Sequence, residues 1–395
     1  MRESYIRLRS ELSSELDRIL NYWASNTIDE THGGFYGAID HHNRVIPKAS
    51  KGIILNSRIL WAFSAASSHL NTEKYAAVCQ RAFDYIKNNF YDTRYKGVFW
   101  EVDDKGTPIN KRKQVYAQAF CIYAFSEYYI YSRNEEAKLL AIEIFECIEK
   151  YSRDKEKGGY MEAFDEDWGS LEDVRLSPKD MNADKTMNTH LHVLEAYTTL
   201  LKIYESEKLK ESLRHLVDIF QNKFLNKQNH YELFFDRSWN LLSNTVSYGH
   251  DIESAWLVLE AARCISDKDM ESACEASAIK VADTFLSEGI DAEGAVMNEK
   301  HMDTGALDDD RHWWPQVEAM VGLEYAYKLT GNNEYLEKSV EIWEFTKKHL
   351  IDRQNGEWHF RVDRNGNPYT EEHKVSMWKA PYHTTRACII LTSVT

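Results

Sequence analysis

One short pattern recurs six times along the chain, and it limits the available folds more than any other feature. A glycine or polar turn leads into a brief aromatic stretch. The copies are Gly33-Gly34-Phe35-Tyr36-Gly37, Gly97-Val98-Phe99-Trp100-Glu101, Gly158-Gly159-Tyr160-Met161-Glu162, His230-Tyr231-Glu232-Leu233-Phe234, Gly294-Ala295-Val296-Met297 and Gly356-Glu357-Trp358-His359-Phe360. They stand roughly 60–70 residues apart, a period that marks stacked units rather than an irregular chain. Several run into a polar turn and a second short stretch, as in Asp103-Asp104-Lys105-Gly106 and Asp363-Arg364-Asn365-Gly366, which are hairpin signals.

Between markers the sequence reads as helix pairs. The helix before each marker is amphipathic: in 74–88, Tyr75, Val78, Cys79, Ala82 and Ile86 share one face, with Lys74, Arg81, Asp84 and Lys87 elsewhere. Similar stretches lie near 3–23, 135–151, 207–224, 268–286 and 333–350. The helix after each marker is apolar nearly all round, as in Ile59-Leu60-Trp61-Ala62-Phe63, Ala119 to Phe125 and Ala255 to Leu259. A helix apolar on every side is buried on every side. Six outer helices alternating with six inner ones predict an all-α (α/α)6 barrel, a single catalytic domain over 1–395, with short β-hairpin loops covering one end. An open solenoid is the structural alternative.

Composition narrows the function. A formal net charge of −15 gains nothing from counterion release, which argues against a nucleic-acid partner. The 11 Trp, 23 Tyr and 16 Phe exceed what a core needs and suggest an aromatic-lined cavity. The six cysteines form no CxxC and mostly sit in apolar helical runs, so buried free thiols in a reducing, cytoplasmic setting are expected. Residues 1–20 lack an apolar signal region, and no stretch is long and apolar enough for a membrane span.

Each inner helix opens on polar residues: Asn56-Ser57-Arg58, Gln114 to Gln118 with Tyr116, Asn188-Thr189-His190-Leu191-His192, His250-Asp251-Ile252-Glu253, Trp313-Trp314-Pro315-Gln316-Val317-Glu318, and the segment around Trp378-Lys379-Ala380-Pro381-Tyr382-His383. Helix starts on one side of a barrel converge, so these residues have a shared focus. Any one of them alone has an ordinary explanation: a histidine at a helix start is commonly a cap, Arg58 can pair with a core carboxylate, and Trp313 or Trp314 can pack a rim. His190 and His192 lie about 200° apart around their helix and cannot both face the cavity; His190 is taken as the functional one and His192 as structural or supporting. His250 and Glu253 at i, i+3 leave a metal site open, with His190 and His383 as further ligands. No HExxH, Cys/His cluster, Walker A, GxGxxG or GxSxG motif is present, and neither metal nor cofactor is expected.

With these stretches and Asp184-Lys185-Thr186-Met187 in view, the sequence resembles the N-acylglucosamine 2-epimerase superfamily, and within it the branch acting on cellobiose. The resemblance runs from about Gly33 to His383. It implies an (α/α)6 barrel, no metal or nucleotide requirement, and reversible C2 epimerisation of the reducing-end glucose of β-1,4-linked disaccharides such as cellobiose and lactose. It implies His250 and His383 as the acid–base pair, with His190, Arg58 and Glu253 also catalytic. Tyr116, Asn188, Asp184, Trp313, Trp314, Glu318 and Trp378 are implied or expected to bind substrate, the chain working as a monomer. Histidine, titrating near neutrality, suits a proton transfer that must run in both directions. Glu253, one turn after His250, is expected to orient that ring. A mannose epimerase or mannose–fructose isomerase is the neighbouring reading. An inverting glycoside hydrolase using Glu253, Glu318 or Asp184, and a non-catalytic sugar-binding scaffold, are the others.

Overall fold

The structure is a computed structural model and describes residues 2–393. Twelve α-helices run α1 (Arg2–Asn26), α2 (Ile53–His69), α3 (Ala76–Tyr85), α4 (Val115–Ser132), α5 (Glu135–Cys147), α6 (Met187–Leu201), α7 (Glu207–Ile219), α8 (Tyr248–Ile265), α9 (Lys268–Glu288), α10 (Trp313–Thr330), α11 (Glu334–His349) and α12 (Tyr382–Thr392). The even-numbered helices are the apolar ones. They pack in order, α2 on α4, α4 on α6, and so on to α10 on α12, and α12 packs back on α2. That last contact closes the ring and separates a barrel from an open solenoid. The odd-numbered helices wrap the outside: α3 lies on α2, α5 on α4, and α1 on α12. The (α/α)6 architecture expected from the sequence is the one observed.

All six sequence markers are tight hairpins, each closed by one antiparallel bridge: Ile28 with Phe35, Tyr91 with Val98, Arg153 with Tyr160, Leu225 with Tyr231, Ile290 with Val296 and Ile351 with Trp358. Three outer helices end in a wide turn not foreseen from the sequence. In the π-helical turns Ile86–Phe90, Ile148–Ser152 and Phe220–Phe224, the first residue's carbonyl accepts from the N–H five residues on, which releases the chain into the hairpin.

A buried ion pair locks most units. The aspartate opening each hairpin meets a cation just before the next inner helix: Asp29 and Lys51 at 2.7 Å, Asp92 and Lys113 at 2.7 Å, Asp154 and Lys185 at 3.0 Å, Asp291 and Arg311 at 3.0 Å, Asp352 and Lys374 at 2.6 Å. The other oxygen of each aspartate accepts backbone N–H groups of the turn, as Asp92 does from Arg94 and Tyr95. Unit four departs from this. Asn226 keeps the turn, accepting from Gln228 and His230 N–H, and apolar Val246 stands where the cation would be. Both charges are absent together, so no lone charge is buried.

Candidate active site

The first turns of the inner helices present two faces, and each does a different job. The outward face holds the hairpins. Gln118 of α4 accepts from Val98 N–H through Oε1 (2.8 Å) and donates to Val98 O through Nε2 (2.8 Å). Gln316 of α10 does the same to Val296. Asp251 of α8 accepts from Tyr231 N–H at 2.7 Å. His190 occupies the equivalent place in α6: Tyr160 N–H donates to its Nε2 (2.8 Å) and its Nδ1 lies 2.7 Å from Thr186 O. A backbone N–H only donates and a carbonyl only accepts, so the ring is a neutral Nδ1–H tautomer with no free nitrogen. Burial brings its pKa down to about 3. Gly159, at φ +77, lets the hairpin come this close; a Cβ there would sit 2.8 Å from His190 Nε2. His190 is therefore an anchor, which corrects the catalytic role expected for it.

The inward face gathers polar and aromatic side chains around the barrel axis. His192 takes the position expected of His190. Its ring lies 4.9 Å from that of Tyr116 and 4.6 Å from that of Phe120, and its Nδ1 is 3.0 Å from Glu195 Oε2. Asn188, one turn earlier on the same face, has a buried Oδ1 without a protein partner. Arg58 donates to Tyr116 Oη at 2.8 Å and to Trp378 O at 3.2 Å, its guanidinium stacked 4.5 Å from the Phe120 ring centre. Trp378 lies beside Tyr116 and Trp100, with ring centres 6.2 and 6.0 Å away.

His250 and His383 come from α8 and α12 and both stand against Trp314, whose ring centre is 4.7 Å from the first and 5.5 Å from the second. His250 Nδ1 is held 2.8 Å from Ser247 Oγ. His383 Nδ1 is 2.7 Å from Glu318 Oε1, which favours the proton on Nδ1 and leaves the Nε2 lone pair available. Burial, with His192 next, brings His250 down to about 3. Burial, then Arg58 and Arg386, hold His383 well below the ordinary histidine range. Both sit in the first turn of a helix, where the positive dipole end also opposes the imidazolium. At neutral pH both rings are uncharged bases.

Beneath them lies a charge cluster that the sequence reading missed. Arg386 of α12 bonds Glu195 and Glu253 and lies 2.7 Å from Glu318 Oε1, while Tyr382 donates to Glu195 at 2.6 Å. Burial would raise Glu195, but Arg386 and then His192 outweigh it and hold it at about 2. Burial, then the neighbouring Glu318, push Glu253 up to about 7. Burial also raises Glu318. Glu253 thus works on Arg386 and stands 3.9 Å from His383, rather than orienting His250 as expected. The reason is depth: a residue one turn further along α8 points below the His250 ring. Glu318, expected to touch substrate, is fully buried behind His383 and orients it. The missed signal was a set of charges, Glu195 and Arg386, inside otherwise apolar helices.

Asp184 lies outside the site, accepting from Arg237 N–H at 2.9 Å on the outer hairpin. Trp313 packs on Phe360 at 4.7 Å under the Lys379 ammonium and meets His383 edge-on at 6.4 Å, while Trp314 stands beside both histidines. Glu253, Glu318 and His383 have ligand atoms within 4.8 Å of one another, close enough for a metal. The Arg386 guanidinium already bridges both carboxylates, filling that place with a cation. At the second such group, His41, Asp352 and His359, the Lys374 ammonium and two backbone N–H groups take the aspartate oxygens.

Comparison with known proteins agrees with this architecture. The profile of the N-acylglucosamine 2-epimerase (GlcNAc 2-epimerase) family matches residues 34–387. The chain belongs to that family. It is 41% identical to a cellobiose 2-epimerase of Bacteroides fragilis, over 97% of this chain and 98% of that one. It is 37% identical to one of Dictyoglomus turgidum, over 97% of each. The solved structure of cellobiose 2-epimerase from Bacillus thermoamylovorans superposes with a TM-score of 0.94 at 38% identity, covering 98% of this chain and 99% of that one. Among the described residues of this family member, no helix is long and apolar enough to cross a membrane.

Proposed function

We propose that this chain is a carbohydrate epimerase that inverts C2 of the reducing-end glucose of β-1,4-linked disaccharides, converting cellobiose to glucosyl-mannose and lactose to epilactose. The observation that carries the reading is the pair of neutral histidines, from two different helices, that both stand against Trp314. Full-length relatives named cellobiose 2-epimerase support the disaccharide.

The sugar ring opens to the aldehyde, which acidifies the C2 proton. One of His250 and His383 removes that proton through Nε2, giving a planar enediolate and an imidazolium. The other ring takes up a proton from solvent and delivers it to the opposite face of C2, the first imidazolium returns its proton to solvent, and the sugar ring closes. Glu318, behind His383, stabilises the imidazolium form of that ring. Arg58 and His192 hydrogen-bond the C1 and C2 oxygens where negative charge develops. Trp314 and Trp378 offer flat apolar faces to pyranose C–H groups. No step draws on a metal or cofactor. The inner helices and the segment before α12, all of one ring, supply the residues named, which supports a single catalytic domain acting as a monomer.

The deciding experiment is NMR of cellobiose, lactose and mannose incubated with the protein in D2O. An epimerase places deuterium at C2 of the reducing-end sugar and yields the C2 epimer. Fructose from mannose identifies the isomerase instead, and glucose released from cellobiose with no carbon labelled identifies a hydrolase.

A further inference from the structure

The barrel has a second opening at the end away from the hairpins. A cavity of about 480 Å³ lies between the C-terminal halves of the inner helices, within the range of small-molecule sites. Its walls carry the rings of Trp61, Tyr123, Trp256 and Tyr325, with Glu127 and Lys202 among them. Its inner end is formed by Glu195 and Arg386, whose other sides support the histidines above.

Two features separate this cavity from a packing defect. An accidental void is lined by apolar atoms and stays dry. Here the indole N–H of Trp61, in a side chain 5% exposed, is buried with no protein acceptor, while that of Trp256 lies towards Glu318. A buried donor without an acceptor costs about 1–3 kcal/mol, so Trp61 awaits an oxygen atom. Charge selects among oxygen-bearing ligands. Arg386 is already paired with three carboxylates, and the lining sets Glu127, Glu195 and Glu260 against Lys202 and Arg386. The cavity has no surplus cation for an anion. Aromatic faces with polar groups at their edges, and no surplus of positive charge, match a ring of hydroxyls and C–H groups.

We propose that this back cavity is a second binding site, for a neutral polyol of monosaccharide size, separate from the site at the hairpin end. Occupancy would press on the Glu195–Arg386 wall and so reach Glu318 and His383, coupling the two sites.

The test uses the full chain labelled with 15N in its tryptophans, with D-glucose as the probe. Indole N–H resonances of Trp61, Trp256, Trp314 and Trp378 are assigned by single Phe substitutions. Trp61 and Trp256 are expected to titrate together, with a midpoint on the order of mM that differs from that of Trp314 and Trp378. Glu127→Gln and Lys202→Met should each weaken the back midpoint at least about fivefold, a fraction of the tenfold that 1.4 kcal/mol gives. Neither variant touches the hairpin-end site, so turnover without added glucose stays unchanged. The proposal is overturned if Trp61 and Trp256 do not move. It is also overturned if they move only with the same midpoint as Trp314 and Trp378, or if both variants leave their midpoint where it was.

Discussion

His190 and His192 are two residues apart on one helix, both buried, and the structure uses them for opposite purposes. His190 faces outward and spends both ring nitrogens on backbone groups, while His192 faces the axis with one nitrogen on Glu195 and the other free. The same split runs round the barrel. Gln118, Asp251 and Gln316 hold hairpins, whereas Tyr116, His250 and Trp314 line the site. A buried histidine is therefore diagnostic only once its nitrogens are accounted for: a ring with both satisfied by backbone has no proton to trade.

The largest effect should come from the inward face. His250→Ala and His383→Ala are each expected to cut turnover by at least about 10²–10⁴-fold while leaving the thermal midpoint close to wild type. Wild-type-like rates in either variant would remove that ring from the mechanism. The outward anchors should behave in reverse. Lys113→Met strands the Asp92 carboxylate in the core and should cost about 3–5 kcal/mol by denaturant unfolding. The double change Asp92→Asn with Lys113→Val copies the Asn226/Val246 arrangement of unit four and should recover most of that loss; no recovery would show that the pair is not exchangeable.

A smaller effect is expected at His190. His190→Ala orphans Tyr160 N–H and Thr186 O and should cost roughly 2–4 kcal/mol, with turnover per folded molecule retained. His190→Gln reproduces the Gln118 and Gln316 solution and should fall within about 1 kcal/mol of wild type. Lost turnover in a fully folded His190→Gln protein would return this residue to the active site. The smallest readout is a slope. His190 titrates at about 3 when folded, against 6.5 as its ordinary value. The unfolded chain binds the proton first, so this stabilisation is complete above 6.5 and is lost as pH falls from there towards 3. His190→Gln should flatten the fall of the midpoint with pH in that window, and an unchanged slope would mean the ring charges while folded.

The clusters differ in how far they could be read in advance. The six markers and the alternation of amphipathic and all-apolar helices needed only spacing and residue type, whereas His250, His383, Arg58 and Tyr116 were singled out from the polar helix starts by the family resemblance. Arg386 and Glu195 were as visible as letters, but nothing local says that two charges from α12 and α6 will meet. The bulk of Trp313 and Trp314 was plain, and which one stands beside both histidines was not.

The sequence by itself determined the number of units, the identity of the inner helices and the end of the barrel where polar residues gather, because hydrophobic period and turn chemistry are local properties. The rotation of each inner helix about its own axis was decided only by tertiary structure. A helix apolar on every side has no moment to set its phase, so His190 over His192 could not be chosen from the pattern. Ring closure, with α12 meeting α2 and the hairpin backbones claiming one face of each first turn, fixed that phase. It thereby decided which histidine anchors and which faces the sugar site.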